Sequence, residues 1–129
     1  MSVDKNMNVL IVDDYKTMLR IIGNLLKQLG FSNIDEATDG SMALELCENK
    51  KYGLIISDWN MEPMSGLEFL KQLRAGAGIN KMAPFIMVTA ESKTENVIAA
   101  KQAGVNNYIV KPFNADTLRT KITSVLGEF

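Results

Sequence analysis

Five short apolar runs, at positions 9–12, 34–37, 54–56, 85–88 and 108–110, constrain this chain more than any other feature. Each is too short for a helix and suits a strand. Between them lie segments with apolar residues at helical spacing. In 16–29, Leu19, Ile22, Leu26 and Leu29 share one face, widened by Met18, Ile21 and Leu25, and Gly30 is the expected stop. The second segment, 41–49, carries Ala43, Leu44 and Cys47. The third starts at Ser65 with Glu68 three residues later, a capping-box spacing, and uses Leu67, Leu70 and Leu73. Ala75-Gly76-Ala77-Gly78 then reads as a loop. The fourth starts at Ser92 with Glu95, uses Val97, Ile98 and Ala100, and stops at Gly104. The fifth starts at Asn114 and offers Leu118, Ile122, Val125 and Leu126 for burial.

Strand and helix therefore alternate five times. Mostly continuous apolar strands belong in a parallel sheet covered on both faces. Right-handed crossovers then predict an α/β fold, a doubly wound five-stranded parallel sheet of the flavodoxin-like (βα)5 class. The strand order 2-1-3-4-5 is taken over from that class rather than read from the residues. With 129 residues, a single domain over 1–129 is expected, with no output domain attached.

The polar residues that follow the strands fall into a pattern. Asp13-Asp14 follow the first, Asp58 ends the third, Thr89 ends the fourth, and Lys111-Pro112 follow the fifth. In an open parallel sheet these ends lie along one edge, where ligands bind at the switch in strand order. Three carboxylates at about 5 Å, in an effective dielectric of about 20, repel pairwise by roughly 3 kcal/mol. Cations must compensate them. Lys111 supplies one charge, and an all-oxygen site suits Mg²⁺, which keeps positions open for a phosphate oxygen. A carboxylate at a strand tip beside that ion can attack phosphorus and form an acyl phosphate. Asp58 is the expected nucleophile because it lies between the acidic pair and the Thr89/Lys111 side. Asp14 is also expected to help cap the first helix.

Composition removes other classes. Net charge is −1, from 14 basic and 15 acidic residues, which disfavours a nucleic-acid partner. No apolar run approaches the ~20 residues of a membrane helix, and the N-terminus lacks a secretory layout. With one cysteine, no internal disulfide can form. A cytoplasmic monomer with no membrane partner is expected. With no histidine, the chain has no imidazole for catalysis, metal ligation or phosphoryl transfer of its own.

Asp13-Asp14, Asp58 followed by Asn60, Thr89-Ala90 and Lys111-Pro112-Phe113 together resemble the receiver domains of two-component response regulators. The stretches VDDYKTMLRII, ISDWNM, MVTAES, KTENVIAAKQAG and YIVKPF resemble the stand-alone chemotaxis members of that family. The resemblance implies that Asp58 accepts a phosphoryl group from a chemotaxis-type histidine kinase. It implies that Mg²⁺ is held by Asp13, Asp14, Asp58 and the backbone carbonyl of Asn60. Lys111 would contact the phosphate through a loop with a cis Lys111-Pro112 bond. Thr89 and Tyr108 would be the switch residues, and the face of the fourth helix, fifth strand and fifth helix would bind the flagellar motor switch protein. A phosphatase is a further implied partner. One departure is local: Met61-Glu62-Pro63-Met64-Ser65-Gly66 stands where the family usually has Met-Pro-x-Met-Asp-Gly. Altered Mg²⁺ affinity or acyl-phosphate lifetime is expected from it.

Other readings use the same residues. A phosphate-sink or adaptor receiver would share the pocket. A Mg²⁺-dependent phosphohydrolase working through an aspartyl phosphate would need a lid for which the chain is short. A flavin binder would need amides and hydroxyls where two aspartates stand.

Overall fold

The computed structural model describes residues 4–90 and 93–127. The elements alternate as β1 (Asn8–Val12), α1 (Lys16–Gln28), β2 (Asn33–Ala37), α2 (Gly40–Asn49), β3 (Leu54–Asp58), α3 (Gly66–Ala75), β4 (Phe85–Thr89), α4 (Thr94–Ala103), β5 (Asn107–Val110) and α5 (Ala115–Leu126). The five strands form one parallel sheet in the order β2-β1-β3-β4-β5. The doubly wound α/β fold expected from the sequence is the observed one.

Successive side chains of a strand point to opposite faces, so each central strand feeds two cores. Val9, Ile11, Leu54, Ile56, Ile86 and Val88 meet Leu19, Ile22 and Leu26 of α1 and Leu118 and Ile122 of α5. Leu10, Val12, Ile55, Phe85 and Met87 meet Ala43 and Cys47 of α2 and Phe69, Leu70 and Leu73 of α3. Every residue of β3 and β4 is buried. The edge strands differ: β2 (NIDEA) is buried only at Ala37, and β5 only at Ile109. The reading of five doubly covered strands therefore holds for the centre of the sheet and relaxes at its edges, where one flank has no partner.

Helix boundaries follow local chemistry. Gly30, at φ 104°, closes the chain after α1. Ser65 caps α3 by accepting from the Glu68 amide at 3.1 Å. Only that half of the expected box forms, because the Glu68 carboxylate instead accepts from Gln72 Nε2 at 3.2 Å. Asn114 caps α5 by accepting from the Thr117 amide. At α1 the N-cap is Tyr15, with no side-chain cap bond, so Asp14 does not cap this helix. Asp13 Oδ1 instead accepts from the Tyr15 amide at 2.9 Å, because Asp13 is the residue turned inward. Ser92, the expected start of the fourth helix, lies outside the described residues; α4 begins at Thr94 behind an N-cap at Lys93.

Asn80 carries the far end of the sheet. It is buried, donates to the carbonyls of Cys47 and Lys50 at 2.7 Å each, and accepts from the Tyr52 amide at 2.8 Å. Asn80→Ala takes the partner from two buried backbone groups and one part-buried one, and is expected to lower stability by about 2–4 kcal/mol, read from the urea midpoint.

Candidate functional site

Asp58 is the last residue of β3 and Thr89 the last of β4. Asp13 and Asp14 directly follow β1, and Lys111 directly follows β5. All five lie along the C-terminal edge of the sheet, with β1 and β3 flanking the point where the strand order reverses. Burial separates their roles. Asp13 is 1% exposed, Asp58 and Thr89 are each 6% exposed, and Asp14 faces solvent.

The three carboxylates each offer an oxygen within 4.8 Å of the others. Lys111 Nζ lies 3.1 Å from Asp58 Oδ1 and 3.6 Å from Asp13 Oδ2. One ammonium thus spans two buried carboxylates. The compensation is incomplete, since Asp13 Oδ2 is buried without a hydrogen-bond partner. Burial pushes the Asp13 carboxyl above its ordinary pKa, and the charges of Asp58 and Asp14 add to this, against the Tyr15 amide and Lys111. Burial also raises Asp58, with Asp14 adding and the Lys111 hydrogen bond opposing. A buried oxygen with no hydrogen-bond partner, inside a set of hard oxygen donors, fits a divalent cation of the Mg²⁺ kind.

The Asp58 main chain is fixed from several sides. Ser57 Oγ donates to the Asp58 carbonyl at 3.0 Å, and the Trp59 amide donates to Val88 O at 2.9 Å. The Gly66 amide donates to Trp59 O at 2.9 Å, drawing the start of α3 against the strand end. A Cβ at Gly66 would overlap the Asp58 carbonyl oxygen. Sequence reasoning treated Gly66 only as part of a motif; its backbone contact with Asp58 has no signature in periodicity.

Asn60 lines an open cleft of about 340 Å³ with Asp14, Trp59, Met61, Glu62 and Ser65. The departure from the family pattern therefore forms part of the wall beside Asp14, and the Glu62-Pro63 bond is cis. The Lys111-Pro112 bond is also cis. Tyr108 lies on β5, half-buried, with Lys121 Nζ 5.0 Å from its ring centroid. Lys121 also donates to Asn107 Oδ1 at 3.4 Å, and Asn107 donates to Ser124 Oγ at 2.6 Å. Tyr108 and Thr89 share a cavity of only about 10 Å³ with Trp59, Met87, Asn96, Val97 and Ala100. The two residues are thus brought to one small gap between β4, β5 and α4. Among the described residues no helix is long and apolar enough to cross a membrane.

Comparison with known proteins agrees with this geometry. The family model described as "Response regulator receiver domain" matches residues 9–123. "Chemotaxis protein CheY-3" of Vibrio cholerae is 49% identical over 123 residues, covering 95% of this chain and 94% of that protein. The solved structure of the chemotaxis response regulator CheY4 of Vibrio cholerae matches with a TM-score of 0.86 and 34% identity, covering 94% of this chain and 99% of that one. A CheX-CheY-BeF3-Mg+2 complex from Borrelia burgdorferi matches with a TM-score of 0.85 and 28% identity, over 92% of this chain and 87% of that one.

Proposed function

Because the chain belongs to the response regulator receiver domain family, we propose that it is a chemotaxis switch that accepts a phosphoryl group on Asp58 from a histidine kinase. The observation that carries this reading is the placement of Lys111 Nζ between Asp58 Oδ1 and Asp13 Oδ2 at one sheet edge. That arrangement gives a nucleophilic oxygen with a fixed cation beside it.

In the proposed step, an Asp58 oxygen forms a bond to phosphorus as the bond from phosphorus to the donor's histidine nitrogen breaks. The released imidazole keeps the electron pair and takes up a proton. Asp13, Asp14, Asp58 and the Asn60 carbonyl would hold Mg²⁺, which supplies charge neutralisation for the transferring group. Lys111 binds an equatorial phosphoryl oxygen, exchanging its contact with Asp58 for one with the dianion. Thr89 offers a hydroxyl to another. Its shift toward the phosphoryl group opens the gap it shares with Tyr108, whose ring then turns inward. The surface of α4, β5 and α5 changes with it, and in that form binds the flagellar motor switch protein. The complex with CheX supports a phosphatase as a further partner of proteins of this kind. Bias from mostly resting to mostly active requires about 5.5 kcal/mol of differential stabilisation, within reach of a dianion held by two cations.

Incubation with a small acyl-phosphate donor, followed by intact mass spectrometry, tests the acceptor. Native protein with Mg²⁺ is expected to gain one phosphoryl group. Protein stripped of divalent ions, and Asp58→Asn with Mg²⁺, are expected to gain none. Full labelling of either would overturn the assignment. Capture of the motor switch protein by the phosphorylated form, and not by Asp58→Asn, tests the output; equal capture by both would reject it.

A further inference from the structure

A second concavity, about 440 Å³ and larger than the cleft beside the acidic pocket, lies between α1 and the edge strand β2. Lys16, Arg20, Asn24 and Lys27 of α1 and Glu36 of β2 form its walls, and the buried Gly23 lies between them. The strand order places β2 and β5 at opposite edges of the sheet, so this groove is remote from the α4–β5–α5 surface.

Its lining is uncompensated. Among the described residues, the side chains of Lys16, Arg20, Asn24, Lys27 and Glu36 make no ion pair or hydrogen bond. Positions 16, 20 and 27 fall on one helical face, so three cations form a stripe along roughly 16 Å of α1.

Gly23 gives a second, independent observation. Glycine inside a helix is less stable than alanine. Here the fold does not require it: its φ is not positive, and an added Cβ would meet only Ile11 Cδ1 at 3.9 Å, an ordinary contact. The missing side chain instead deepens the groove between the cations, where a ligand backbone can approach closely.

We propose that this groove docks an acidic helix of a partner protein. The cations are spread along a line rather than converging on a point, which suits a row of carboxylates better than one small anion. Glu36 on the facing wall would repel a continuous phosphate backbone and suits a segment of mixed charge. The proposal is independent of the chemistry at Asp58.

The probe is a synthetic alanine-based helical peptide of mixed charge, with a stripe of glutamates on one face and lysines beside it. It is titrated into the unphosphorylated, metal-free 129-residue protein, with backbone amide shifts followed by NMR. Shifts are expected across 16–27 and at Glu36, saturating and weakening as salt is added. Gly23→Ala is expected to raise the unfolding midpoint while lowering affinity about tenfold or more, because it fills the groove without disturbing the fold. Arg20→Gln with Lys27→Gln should lower affinity comparably and leave the amide spectrum elsewhere unchanged. Peptide binding unaffected by Gly23→Ala overturns the proposal, as does a shift pattern centred on α4 and β5. A short DNA duplex that displaces the peptide from these residues would reassign the groove to nucleic acid. Because neither metal nor phosphate is present, failure here leaves the acceptor reading standing.

Discussion

Gly66→Ala is expected to destabilise the protein by about 3 kcal/mol and to disable the acceptor site, although it adds one methyl group. The added Cβ would overlap the Asp58 carbonyl oxygen and come to 3.0 Å from the Asp58 carbonyl carbon and from Met87 Sδ. The methionine can move; the backbone cannot move cheaply. Asp58 is paired with Val88 in the sheet, its carbonyl accepts from Ser57 Oγ, and the next amide donates to Val88 O. Relief therefore requires either α3 to retreat, breaking the Gly66 amide bond to Trp59 O, or the end of β3 to shift and carry the Asp58 carboxylate with it. Gly78→Ala is the control, since a Cβ there meets nothing within 4 Å. It should leave stability within about 0.5 kcal/mol of native. Urea denaturation of the two variants decides the matter: equal midpoints would show that the start of α3 does not constrain Asp58.

Asp13→Asn should move stability the other way, by about 1–2 kcal/mol at neutral pH without metal. Asparagine keeps the Oδ1 acceptor for the Tyr15 amide and removes a buried charge whose other oxygen has no hydrogen-bond partner. Lys111 keeps its shorter contact with Asp58. The pH dependence gives the prediction its sign. The folded-state pKa of Asp13 is raised above the ordinary 3.8, so the native state holds the proton more tightly than the unfolded chain. Native stability then falls as pH rises through the window above 3.8, and the penalty is complete beyond the folded-state value. The advantage of Asp13→Asn is accordingly small at and below pH 3.8 and grows as pH rises above it. Raised by burial in the same way, Asp58 adds to the same slope in both proteins. Mg²⁺ should reverse the ranking. At a hundredfold excess over its dissociation constant it stabilises native protein by about 2.7 kcal/mol, and the variant should gain little at that concentration. Urea unfolding with chelator and with Mg²⁺ measures both terms. An Asp13→Asn protein less stable than native in chelator at pH 7 would show that the buried charge is fully compensated by Lys111.

Legibility along the chain followed the range of the interactions involved. Helical spacing in 16–29 and the stop at Gly30 are local properties, and α1 forms where they say. The caps at Ser65 and Asn114 also depend on a few neighbouring residues. Asp13, Asp58, Thr89 and Lys111 were legible because a parallel sheet brings every strand's C-terminal end to one edge. Arg74 was not legible. Near the end of a helix it reads as a solvated charge, yet its half-buried guanidinium donates to Gly104 O, Lys81 O and Asn106 Oδ1. Burial accordingly depresses its pKa. That clamp joins α3 to the end of α4 and the start of β5, segments about 30 residues apart in the chain.

The order of residue types along the chain was enough to specify which segments become strands, which become helices, and which charged groups share an edge. Both depend on backbone geometry with a short period. Folding in three dimensions was needed to select Asp13 over Asp14 as the inward carboxylate, to leave one of its oxygens without a hydrogen-bond partner, to press Gly66 against Asp58, and to open a groove over Gly23. Each of these depends on distances between groups far apart in the chain, set to within an ångström by packing that no local pattern encodes.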